Sequence, residues 1–179
     1  PDALEAVNQY LARCAESGCM MFAGVPQTML GLAHAMDGRV ADGLRQIEAT
    51  IAQREAEGME IAADWNRLFL SEVYLQILSG EGGASLGVLM RNFGTLAGVM
   101  LSGERRILGL IERVRGNPHW DADGYYHARC DMILGLLNKQ KKRRPQAIAQ
   151  LTRAREVIAR IGASPMLTRI ELALAELKG

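Results

Sequence analysis

His127, Cys130 and Asp131 stand within one short stretch. A histidine three residues before a cysteine shares a helical face with it, the placement in which an imidazole could take a thiol proton. Asp131 points elsewhere on such a helix and no oxyanion pocket is evident, so the expected role of Cys130 is that of a small apolar core group. Cys14 and Cys19 are close enough in sequence to bridge, but three cysteines without zinc-ribbon spacing suit buried thiols in a reducing compartment, and no disulfide is expected. His34, His119 and His127 include no pair four apart on one helix, so no metal site is expected. Gly80, Gly82 and Gly83 lack a preceding strand and a following Lys-Ser or Lys-Thr; they read as a linker rather than a phosphate cradle, and no cofactor is expected. Trp65 could stack on a ligand, although packing between helices is the commoner use. The run Lys139, Lys141, Lys142, Arg143 and Arg144 could meet phosphates, yet without interleaved aromatics it reads as a solvated turn beside a helix end.

These groups must be placed by helices. The chain has 179 residues, enough for one domain with a sizeable core; 49% are hydrophobic, 23% charged and 5% aromatic. That balance excludes a disordered tail and, being poor in aromatics and rich in Ala, Leu, Glu and Arg, favours helix over strand. No apolar run is long enough for a membrane helix and no signal pattern opens the chain, so a cytoplasmic location is expected. The chain opens on Pro1 at what reads as a helix start, which is expected of a piece of something longer. A net charge of +1 conceals an asymmetry: residues 139–179 carry ten Lys and Arg against three Glu.

Apolar spacing of three and four predicts helices over 3–15, 26–36, 40–58, 61–78, 86–101, 104–114, 125–138, 145–161 and 167–177. The 61–78 segment is so densely apolar that burial on two sides is expected. The break between 101 and 104 is placed at Ser102-Gly103, and 119–124 reads as a polar linker.

Two segments repeat. Leu30-Gly31 is followed by Gly43, Ile47 and Thr50, and Leu134-Gly135 by Ala147, Leu151 and Ala154 at the same offsets. A small residue on each helix lets the two approach, and a large residue one turn on fills the space beside them. Leu70-Ser71 with Tyr74 fits the first helix of a further copy, after which the frame slips. This pattern resembles the tetratricopeptide family, whose repeat is a pair of antiparallel helices. The resemblance implies a single all-α domain, 1–179, of helix pairs stacked as a right-handed superhelix, with repeats near 24–57, 61–115 and 125–161 and a capping helix over 167–177. A narrower resemblance rests on Leu32-Ala33-His34-Ala35 with Gly38 and Gly43-Leu44, on Trp65-Asn66-Arg67-Leu68 with Glu72-Val73-Tyr74-Leu75, and on Ala154, Gly162 and Ala173 to Leu177. These stretches are similar to the C-terminal region of bacterial adenylate/guanylate cyclase-related ATPase signalling proteins. None of that family's nucleotide-binding or cyclase motifs occurs here, so no catalytic residue carries over.

The expected work is therefore binding by shape: a scaffold or sensor module, not an enzyme, that takes a protein or peptide partner or associates with itself. The repeat frame projects Thr28, Leu32, Leu68, Glu72, Leu75, Met132, Leu136 and Lys139 toward a concave surface. The alternatives are a nucleic-acid-binding helical domain using the basic 139–144 loop, or a small-ligand pocket inside the superhelix.

Overall fold

The structure is a computed structural model that describes residues 3–17, 24–80 and 86–178. Among the described residues there are nine helices and no strand: α1 (Ala3–Ser17), α2 (Gly24–Met36), α3 (Val40–Ala56), α4 (Glu60–Ser79), α5 (Leu86–Arg91), α6 (Phe93–Arg115), α7 (Tyr125–Gln140), α8 (Arg144–Ile161) and α9 (Ser164–Lys178). None is long and apolar enough to cross a membrane. Cys19 and the glycines 82 and 83 lie outside the described residues.

The most extensive contacts join α2 to α3, α4 to α6 and α7 to α8. Each pair then packs on the next element, α3 on α4, α6 on α7 and α8 on α9, while α4 also touches α2 and α7. Helix α4 is thus enclosed, with Leu68, Leu70, Val73, Tyr74 and Leu75 all in one continuous core with Ile47, Ile107, Ile133 and Leu151. That enclosure is what its two-sided apolar pattern requires.

The small residues act as the repeat predicts. A Cβ on Gly31 would stand 2.7 Å from the Ile47 side chain and 2.8 Å from the Gly43 carbonyl, and one on Gly43 would run into the Gly31 carbonyl. A Cβ on Gly135 would stand 2.6 Å from Leu151. The likeness between the two runs goes further than packing. His34 O accepts from Arg39 N at 2.9 Å and Asn138 O from Arg143 N at 2.9 Å; Arg54 O accepts from Met59 N at 2.8 Å and Ile158 O from Ala163 N at 3.3 Å. Each of these four helix ends turns on one left-handed residue: Gly38, Lys142, Gly58 and Gly162, with φ of 81°, 57°, 71° and 79°. Gly38 and Lys142 are 104 positions apart, as are Gly58 and Gly162 and the first residues of α4 and α9. The run α2–α3–α4 therefore recurs as α7–α8–α9 at one constant offset.

The sequence reading misplaced one boundary. No helix ends at Ser102-Gly103: α6 runs through them, and the break falls at Asn92. Gly103 is buried against Leu78, where its missing side chain lets α6 close on α4, so the glycine is a contact and not a stop. Asn92 stands at that break, and its side-chain amide reaches out to the α2–α3 turn. It donates to Gly38 O at 2.7 Å and accepts from Val40 N at 3.1 Å, fastening the inserted segment to the α2–α3 turn. Gly103 follows Ser71 by 32 residues, where the outer pairs use 12. Gly103 meets Leu78 rather than Ser71, so the middle pair closes on a large side chain where the α2–α3 pair closes on a facing glycine.

Candidate functional site

The eight projected residues separate into two groups. Thr28, Leu68 and Met132 are buried in the core, and Thr28 donates to Asn66 Oδ1 at 2.8 Å. These three face neighbouring helices, not an open surface, because α4 packs on both α2 and α7. Leu32 is half-buried against the same core. Glu72 accepts from Arg129 at 2.8 Å and lies 3.6 Å from Arg169.

Leu75, Leu136 and Lys139 do come together. With Gln140, Arg169 and Leu172 they surround a cavity of about 310 Å³ where α9 meets the ends of α4 and α7. Leu75 and Leu136 give it an apolar floor, Leu172 stands at its edge 61% exposed, and Lys139 pairs with Glu176 across it. Both polar atoms of the Gln140 side chain are out of solvent and have no hydrogen-bond partner. A buried amide left open on donor and acceptor together is unusual, since such groups are normally satisfied. Arg169, Leu172 and Gln140 were not singled out from the sequence. The 104-residue offset was the available signal for one of them, since it sets Leu172 where Leu68 stands in the earlier run.

At the opposite ends of α4 and α7 lies a second cavity, of about 460 Å³, lined by Val25, Met59, Ile61, Trp65, His119 and Tyr126 among others. Trp65 stacks on Phe69 at 5.6 Å and Tyr126 on Trp120 at 3.6 Å, so both aromatic walls are backed by a second ring. Burial raises the Tyr126 pKa. Fully buried Asp64 fixes this end. It accepts from Arg67, from Asn117 at 2.6 Å and from the Trp120 indole at 2.7 Å, which ties the 116–124 linker to α4. Burial disfavours the Arg67 charge, but Glu55, Asp64 and Glu60 outweigh it and hold its pKa above the ordinary value.

A third groove, of about 420 Å³ between α3 and α6, is spanned by ion pairs: Arg106 to Glu48 at 3.1 Å and Arg113 to Glu55 at 2.8 Å. On its floor the Tyr74 hydroxyl donates to Glu48 at 2.7 Å and accepts from Arg106 at 3.0 Å, and burial with the Glu48 charge pushes its pKa up to about 12. These pairs brace the two helices.

The basic run is partly engaged within the molecule. Arg143 and Lys141 lie 2.6 and 3.2 Å from Glu104, and Arg143 above all holds that carboxyl below the usual range. Cys130 is wholly buried, which pushes its thiol up to about 12 and keeps it protonated at neutral pH. Cys14 is also a buried free thiol. Among the described residues no three His, Cys, Asp or Glu side chains converge in a metal-binding group. No known protein family, curated protein or solved structure matches the chain.

Proposed function

We propose that the protein is a protein-interaction module, a tetratricopeptide-like stack of helix pairs whose binding surface is the groove between α4, α7 and α9. The observation that carries this reading is the set Leu75, Leu136, Leu172, Lys139 and Arg169, an apolar floor with charged rims at the meeting of three helices. Binding surfaces of this kind combine an apolar centre with a polar edge. The work is done by shape and burial, in a scaffold or sensor role within a larger bacterial signalling protein in the cytoplasm, and the chain itself catalyses nothing.

The test is capture of a partner from bacterial lysate at low and high salt. Leu172→Asp should abolish a capture that survives high salt, while Leu101→Asp, which changes a 90% exposed residue on α6 that does not line the groove, should leave it intact. Loss with Leu101→Asp and not with Leu172→Asp would move the surface to α6. Nucleic acid that is released as salt rises would favour the basic 139–144 loop instead. Incubation with ATP and Mg²⁺ should give neither hydrolysis nor cyclisation.

A further inference from the structure

The cavity at the other ends of α4 and α7, lined by Trp65, Asn66 and Tyr126 among others, takes no part in the interaction groove. It contains a polar group that the fold does not require. Asn66 is 1% exposed and its Oδ1 accepts from the Thr28 hydroxyl at 2.8 Å, so a polar pair sits in the core between α2 and α4. The second run supplies the control: at the offset of 104, Thr28 becomes Met132 and Asn66 becomes Ile170, both buried. Apolar side chains thus fill the same place in the other copy, and a buried amide is the costlier filling.

The Asn66 amide is also only half used. Its Nδ2 donates to no group of the described residues, and that nitrogen is not sealed from solvent as the Gln140 amide is. A free N–H donor at the wall of an apolar cavity calls for an acceptor. The walls set the shape that carries it. Trp65 and Tyr126 are each held by stacking on a second ring, at 15° and 11° from parallel, and rigid flat rings favour a flat ligand that stacks on them. Among the described residues no lysine or arginine lines the cavity, and Glu60 at its rim shares Arg67 with Glu55 and Asp64. A phosphate or carboxylate therefore has no partner here.

We infer that this cavity binds a small, flat, uncharged heteroaromatic molecule, stacked against Trp65 and Tyr126, with a ring nitrogen or ring carbonyl accepting from Asn66 Nδ2. Its volume of about 460 Å³ suits one or two fused rings. The site is separate from the α4–α7–α9 groove, and either assignment can fail without the other.

The probes are quinoline, naphthalene, cyclohexanone and N-methylquinolinium, titrated into the whole chain and followed by ¹H–¹⁵N correlation spectra. Quinoline and naphthalene share size and flatness, but only quinoline has an acceptor. Cyclohexanone has an acceptor without the flat ring, and N-methylquinolinium is flat and cationic with its nitrogen capped. Quinoline should bind most tightly, about tenfold over naphthalene, the gain expected of one hydrogen bond to an unmet donor. Its shifts should centre on the Asn66 amide and the Trp65 indole. Asn66→Asp keeps the oxygen to which Thr28 donates and removes the N–H, so quinoline should fall to the affinity of naphthalene while naphthalene stays near its parent value. An unfolded variant could not give that result. Ile61→Arg, a change at a lining residue that is 53% exposed, should weaken both probes alike and decides the matter with the parent if Asn66→Asp does not fold. Equal binding of quinoline and naphthalene to the parent would overturn the inference. So would tightest binding of cyclohexanone or N-methylquinolinium, shifts centred elsewhere, parent-like binding by Ile61→Arg, or no binding of any probe.

Discussion

Helices α4 and α9 occupy the same place in two copies of one three-helix run, yet they meet different surroundings. In α4, Leu68 is wholly buried; its counterpart Leu172 in α9 is 61% exposed. After α4 the chain returns as α6 and then α7, and both pack on it; α9 has contacts with α8 and α7. The comparison shows that the three-helix run does not itself bury the outer side of its third helix. What covers that side is the next pair, and where the next pair is missing from the described residues an apolar residue stands at the edge of a groove.

The largest way to break the enclosed half is at Asp64, which the second run replaces with Thr168. Asp64→Ala leaves the buried Arg67 guanidinium, Asn117 and the Trp120 indole without their shared acceptor. It should destabilise by ~2–4 kcal/mol, because the Asn117 amide and the Trp120 indole lose their acceptor while Arg67 keeps Glu55 and Glu60, read as a fall in the urea midpoint.

Next come the glycine contacts. Gly43→Ala would thrust a methyl into the Gly31 carbonyl, and Gly135→Leu would overpack Leu151; each should cost about 1–3 kcal/mol in thermal unfolding. An unchanged melting curve for both would remove the repeat assignment. Gly103→Ala should differ, because its neighbour on α4 is the flexible tip of Leu78 at 3.2 Å and alanine favours the helix. That variant should stay within about 0.5 kcal/mol of the parent.

The turns sharpen the comparison in the other direction. Lys142 holds the left-handed conformation that Gly38 takes in the first run, so Lys142→Gly should stabilise by up to about 1 kcal/mol, whereas Gly38→Lys should destabilise, since a Cβ there would also press on Val88 at 3.0 Å.

The smallest effect belongs to Glu104. Its folded pKa lies below the ordinary range because Arg143 and Lys141 favour the charged form. Its contribution is therefore present above the unfolded pKa and lost as pH falls through the folded one. The melting temperatures of the parent and Glu104→Gln should differ slightly at neutral pH and converge on acidification.

The sequence made the outer pairs legible because their small residues lie 12 apart with only a tight turn between them. The middle pair was hidden because Gly103 meets Leu78 rather than a small residue twelve positions before it, so nothing in the spacing distinguished a packing glycine from a helix end. Asp64 was invisible for another reason. Its acceptors' partners, Asn117 and Trp120, lie more than fifty residues away, and a carboxylate in a helix carries no local sign of burial. The groove was half legible: Leu75, Leu136 and Lys139 followed from the repeat frame, while Leu172 required reading α9 as a counterpart of α4 rather than as a cap.

The central claim, that the α4–α7–α9 groove is where a partner binds, is tested most directly by amide hydrogen exchange of the chain alone and with the partner captured from lysate. Slower exchange confined to the last turn of α7 and to the stretch of α9 around Arg169 and Leu172 is the predicted result. Unchanged exchange there, or protection appearing instead along α5 and the first turns of α6, would contradict it.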